Sequence, residues 1–161
     1  TLANLIGAEL PEKEIDGLDI WPILSGEEGA ENPHEAYWVY YKQNELQAVM
    51  SGDWKLVLPH TYRTLAGREG TSDGLPIKYE NTKSGLELYH LAEDIGESNN
   101  LAESMPEKVE EMMKHVESAR AELGDRLTDR TGSGSREPGR LTDEERLALE
   151  KKHWPDGKKK K

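Results

Sequence analysis

Five histidines, at positions 34, 60, 90, 115 and 153, are the residues of this 161-residue sequence best suited to move protons or hold a metal near neutral pH. No two of them fall in a spacing that pre-forms a zinc site, such as His-Glu-x-x-His. His60 stands out by position. It follows Pro59 at the end of an alternating apolar run, opens a long polar segment, and has Tyr62 and Arg63 close behind. An imidazole there can hydrogen-bond or carry charge, and an arginine fork matches the oxygens of a sulfate or carboxylate. A solvated loop histidine is the plainer reading, and spacing alone favours it. Asp16 and Asp19, with Glu12 and Glu14 upstream, lack the Asp-x-Asp-x-Asp-Gly order of an EF-hand, and turn capping accounts for them. No Gly-x-Ser-x-Gly elbow, Walker loop or dinucleotide fingerprint occurs, so no nucleophile is visible.

Composition narrows the partners. There is no cysteine, which excludes disulfides, thiolate metal sites and thiol nucleophiles. The net charge of -11, from 21 basic and 32 acidic residues, argues against nucleic acid or an anionic membrane as partner. The basic run at 158–161, beside Lys151 and Lys152, reads as a solvated tail. No apolar stretch is long enough to span a bilayer. With 34% hydrophobic and 33% charged residues the chain is too polar to pack throughout, and ordered structure is expected mainly before residue 125.

The elements that would position His60 follow from periodicity. Leu2, Leu5 and Ile6 share a helical face ending at Gly7, and a loop is expected from there to Leu24. The run at 36–42 is aromatic and β-branched, Asn44 makes a turn, and 45–50 alternates with Leu46, Ala48 and Met50 on one face. After a turn at Ser51-Gly52-Asp53, Trp54, Leu56 and Leu58 alternate against Lys55 and Val57. Three strands joined by tight turns make an antiparallel meander. Residues 60–84 read as a long polar loop, and 86–91 as a fourth strand with Leu86, Leu88 and His90 opposite Glu87, Tyr89 and Leu91. The aromatics at 37, 38, 40, 41 and 54 could form a sugar-stacking platform, but alternation favours core.

The clearest helix starts at Ser104-Met105-Pro106-Glu107, which has capping-box spacing, and carries Val109, Met112, Val116, Ala119 and Leu123 to a stop at Gly124. Its apolar stripe is expected to cover one face of the sheet. Beyond Asp125 no apolar period continues, though Thr142-Asp143-Glu144-Glu145 is again a capping box for a short helix to about Lys152.

Three stretches resemble the C-terminal region of the formylglycine-dependent sulfatases, the arylsulfatase family of the alkaline-phosphatase-like superfamily. Asp16-Gly17-Leu18-Asp19-Ile20-Trp21-Pro22-Ile23-Leu24-Ser25-Gly26 is similar to the family's Asp-Gly-x-Ser…Pro-Leu-Leu-x-Gly segment. Residues 46–57, with Gly52-Asp53-Trp54-Lys55, resemble its Gly-Asp-Trp-Lys strand pair. Residues 87–102 resemble Glu-Leu-Tyr-Asp-Leu-x-x-Asp-Pro-Gly-Glu-x-x-Asn-Leu-Ala, with His90 for the usual Asp and Ile95 for the usual Pro. The likeness covers about residues 1–125. Ser104-Met105-Pro106 shares the Ser-x-Pro start of the family's maturation motif, but Glu107 and Lys108 replace its small residue and Arg, and a helix cap accounts for Ser104.

The resemblance implies an α+β fold, a small four-stranded antiparallel sheet packed against a C-terminal helix, with an extended or disordered tail. Residues 1–35 would be a helix and linker from the end of a catalytic domain, 36–125 the C-terminal subdomain, and 126–161 a polar tail with a short helix. The reaction implied for the longer protein is hydrolysis of sulfate esters, by a formylglycine nucleophile and a divalent cation, usually Ca2+. Those groups would lie in an N-terminal domain outside this chain, leaving the chain alone inactive, with no catalytic residue or metal ligand of its own. Family analogy points to the periplasm or secretion. What carries onto this sequence is His60 as a substrate contact beside the cleft. The alternative is a non-catalytic module that binds sulfated glycans or another protein.

Overall fold

A computed structural model describes residues 1–136 and 139–153. The fold is α+β. Strands β1 (Tyr37–Tyr41), β2 (Glu45–Ser51) and β3 (Trp54–Val57) form the meander. After an excursion the chain adds β6 (Glu87–His90) beside β3, so the antiparallel sheet runs β1-β2-β3-β6. Gly52, at φ +53°, makes the tight turn between β2 and β3, a conformation that glycine adopts without steric cost.

Helix α3 (Pro106–Leu123) covers one face of this sheet with Met112, Val116 and Ala119. These meet Leu46, Val49, Leu56, Leu58 and Leu88 in one buried cluster, against which Trp38, Tyr40 and Trp54 also pack. The aromatics of alternating position are therefore largely core, as the pattern favours, while Tyr37 and Tyr41 stay exposed.

The assignment of faces on β2 needs correction. Leu46 and Val49 share the helix-covered core, whereas Ala48 joins Val57 and Tyr89 in a second cluster on the other face. The register explains it: Val39 pairs with Ala48 but Tyr40 pairs with Leu46, so Gln47 is an extra residue, a β-bulge. A one-residue insertion reverses the alternation beyond it, which sequence period alone does not reveal.

The long polar segment is also not a plain loop. It contains β4 (Thr61–Thr64) and β5 (Glu80–Lys83), which pair antiparallel into an arm with Tyr62 opposite Thr82. Their side chains are mostly exposed, so no buried stripe marked them. The expected loop before Leu24 likewise closes on a one-turn helix, α2 (Trp21–Leu24), after α1 (Leu2–Ile6) has ended at Gly7 with φ +66°.

At the start of α3 the capping box does not form. Met105 is the N-cap, and the Ser104 hydroxyl donates to the Leu101 carbonyl at 3.1 Å. The chain already turns at Leu101, whose carbonyl accepts from Ser104 N and Met105 N, so the hydroxyl is used one turn early. The second capping box is made: Glu145 N donates to Thr142 Oγ1 and Thr142 N to the Glu145 carboxylate, opening α4 (Asp143–His153).

The segment just past α3, expected to be extended or disordered, is built into the fold. The strands β7 (Gly124–Asp125) and β8 (Arg130–Thr131) pair around a 3₁₀ turn at Arg126–Thr128. Ser133 N and Gly134 N then donate back to the Ala121 and Glu122 carbonyls of α3. The lysine run at 158–161 lies outside the described residues.

Candidate functional site

The face of the sheet away from α3 carries an open cleft of about 380 Å³. Its floor is Val39, Ala48, Met50 and Val57, and its rim holds Gln47, Lys55, His60, Tyr62, Ser84, Glu87 and Glu97. The bulge makes part of this site, because it turns Gln47 and Ala48 toward the same side. The β4/β5 arm makes another part, carrying His60 at its base and Tyr62 one step along it.

His60 is held in one orientation. Its Nδ1 lies 2.7 Å from the Leu58 carbonyl and 3.0 Å from Ser84 Oγ, and Ser84 N donates to the His60 carbonyl at 3.0 Å. A carbonyl only accepts, so Nδ1 carries the proton. Nε2 is left to accept from a ligand hydroxyl or, once protonated, to donate to an anion. The imidazole is half-buried, its ring centroid 6.0 Å from that of Tyr62.

The other polar groups of the rim are also partly committed. Lys55 Nζ sits 2.6 Å from Glu97 Oε1. Gln47 Nε2 donates to Glu45 at 2.9 Å, and Glu45, 3% exposed, is paired with Arg126 from the 3₁₀ turn that follows α3. The Tyr89 hydroxyl donates to Glu87 at 2.9 Å. Burial first, and then that bond to a carboxylate, push the Tyr89 phenol up to about 12, so it stays protonated and a donor.

Sequence reasoning identified His60, and the structure places it on this cleft. Arg63 instead lies over the Tyr79 ring at 5.4 Å and does not line the cleft. Ser84, Gln47, Glu87 and Glu97 were not singled out. Lys55 and Glu87 were legible only as outward positions of alternating strands, while Gln47 depends on the bulge and Ser84 on an arm too polar to recognise. Asp19 behaves as a turn residue: the Trp21 backbone N–H and then Asn4 Nδ2, at 2.9 and 2.6 Å, hold its carboxyl below the ordinary range. Among the described residues no group of three or more His, Cys, Asp or Glu is placed to hold a metal ion. Among them, too, no helix is long and apolar enough to cross a membrane.

A four-stranded antiparallel sheet backed by one helix, with a bulged second strand and an oriented histidine beyond the third, makes a small α+β fold of the kind that the three sequence stretches anticipate. The family model for the C-terminal region of aryl-sulfatase matches residues 32–137, and the chain belongs to that family. The match extends past residue 125 to take in the strap of β7 and β8. The chain is also similar to arylsulfatase A of Bos taurus, 31% identical over 122 residues that cover 72% of this chain and 23% of that protein. It thus spans about a quarter of the length of the curated relative it matches.

Proposed function

We propose that this chain is the C-terminal subdomain of a sulfatase that hydrolyses sulfate esters, and that it shapes one wall of the substrate pocket with His60 as a substrate contact. The reading rests on one observation above all: the oriented imidazole, with Nε2 uncommitted, on the rim of an open cleft in a chain of this family. The formylglycine and calcium then belong to the remainder of the protein, where calcium would polarise the sulfate oxygens. In this account His60 donates to, or accepts from, the ester beside the reacting sulfur.

Residues 1–35 fit this arrangement as the join to the catalytic part. Leu2, Leu5, Ile6, Leu10, Leu18, Trp21, Ile23 and Leu24 are all exposed, Leu2 and Ile6 by more than three quarters, and neither α1 nor α2 buries a residue. So much uncovered apolar surface marks a contact with another body. The isolated chain is therefore expected to bind a hydrophobic dye such as ANS or to self-associate, and the version lacking residues 1–24 to do so far less. A dye-silent monomer would favour an autonomous binding module instead.

The functional test is His60→Ala in the full-length enzyme. Loss of one hydrogen bond to a charged substrate predicts roughly a 10- to 100-fold fall in kcat/KM. An unchanged value with an aryl sulfate and with the natural substrate would remove His60 from the pocket.

A further inference from the structure

The cleft's chemistry goes beyond a single histidine. Resting on the reading of the cleft as part of a substrate site, we propose that it selects the group that carries the sulfate, accepting an uncharged hydroxylated ring, such as a neutral hexose, and disfavouring rings with a further negative charge.

Hydrogen-bond bookkeeping on the rim supports this class. Gln47 has its amide donor on Glu45, which leaves its carbonyl oxygen as an acceptor. His60 has its Nδ1 proton on Leu58, which leaves Nε2 as an acceptor when neutral. Glu87 and Glu97 add carboxylate oxygens. Lys55 commits one of its three N–H donors to Glu97, and the Tyr89 hydroxyl is bound to Glu87. The rim is thus rich in acceptors that ligand hydroxyls can satisfy.

Charge and shape agree with that. Two carboxylates, Glu87 and Glu97, face one ammonium, Lys55, so with His60 neutral the rim is net negative and repels a second anionic group. The floor of Val39, Ala48, Met50 and Val57 offers an apolar surface to the C–H face of a ring. A volume of about 380 Å³ accommodates one ring of hexose size.

Two ligands that differ in one group test this: methyl glucoside and methyl glucuronide, titrated into the 161-residue chain at pH 7 with amide chemical shifts as readout. The expected result is saturable glucoside-induced shifts at Gln47, Ala48, Val57 and His60, with glucuronide binding weaker by roughly five-fold or more. Glu87→Gln and Glu97→Gln should each narrow that gap, while the spectrum outside the cleft reports an unchanged fold. No saturable shift with glucoside, shifts that map elsewhere, glucuronide binding as tightly, or a gap unmoved by both variants would each overturn the proposal. Sulfatase activity is read separately. Glucoside binding by the chain together with no sulfate-ester turnover by the product of the complete reading frame would support this site and sink the sulfatase reading, whereas turnover by that longer protein without selective binding would sink this proposal alone.

Discussion

Asp125→Ala is expected to destabilise the subdomain by about 3–5 kcal/mol, enough to unfold much of a marginally stable domain. Asp125 is 0% exposed. Its carboxylate accepts from Arg120 Nε and Leu127 N at 3.0 Å and from Leu46 N at 3.3 Å. It therefore ties the end of α3 to the 3₁₀ turn and to the start of β2. Alanine leaves two backbone N–H groups without their acceptor and removes one of the two carboxylates on Arg120, the other being Glu117. Tyr40 would be disturbed as well. Its hydroxyl donates to the Gly124 carbonyl at 2.7 Å, and burial first, then the Asp125 charge, push its phenol up to about 12. Urea unfolding gives the comparison, with exposed Glu110→Ala on α3 as the control near zero. A loss under about 1 kcal/mol for Asp125→Ala would mean that the strap is not part of the cooperative unit.

Gly132→Ala should cost about 3 kcal/mol or more, although it adds a single methyl group. A Cβ at this position would lie 2.2 Å from the Glu122 carbonyl oxygen, 2.4 Å from its carbon and 2.4 Å from Gly124 N. All three are backbone atoms, so no side chain can rotate away. The strap must separate from α3, and the bonds from Ser133 N and Gly134 N to α3 go with it. Gly139→Ala, where a Cβ would meet nothing within 4 Å, is the matched control. Hydrogen exchange at Ser133 and Gly134 would show the release directly. Equal protection in the variant and the parent would refute the close-approach argument.

These two residues also show where the sequence was legible and where it was not. The strand order and α3 could be read because periods of two and 3.6 leave a mark on buried apolar residues: Leu56, Leu88, Met112 and Val116 all appear where the pattern puts them. Asp125 and Gly132 leave no such mark. Asp125 meets Leu46 across 79 residues, and Gly132 matters only because another backbone passes close by. A Gly-Ser-Gly stretch after an Arg-rich turn is indistinguishable, as sequence, from an unstructured tail. The cleft divides in the same way. His60 was visible from its place after a strand, but Gln47 reaches the rim through a bulge that the alternation of β2 conceals. Glu97 reaches it through a turn in which its own φ is +53° and Asp94 accepts from Ser98 and Asn99. The resemblance to sulfatases located the family without those details.

The most direct measurement is hydrolysis of a chromogenic aryl sulfate by three proteins: the product of the complete reading frame, the same protein with His60→Ala, and the 161-residue chain alone. The account predicts turnover by the first, a reduction of roughly 10- to 100-fold in the second with its fold intact, and none by the third even with calcium. Turnover by the 161-residue chain, or full activity in the His60→Ala enzyme, would contradict it.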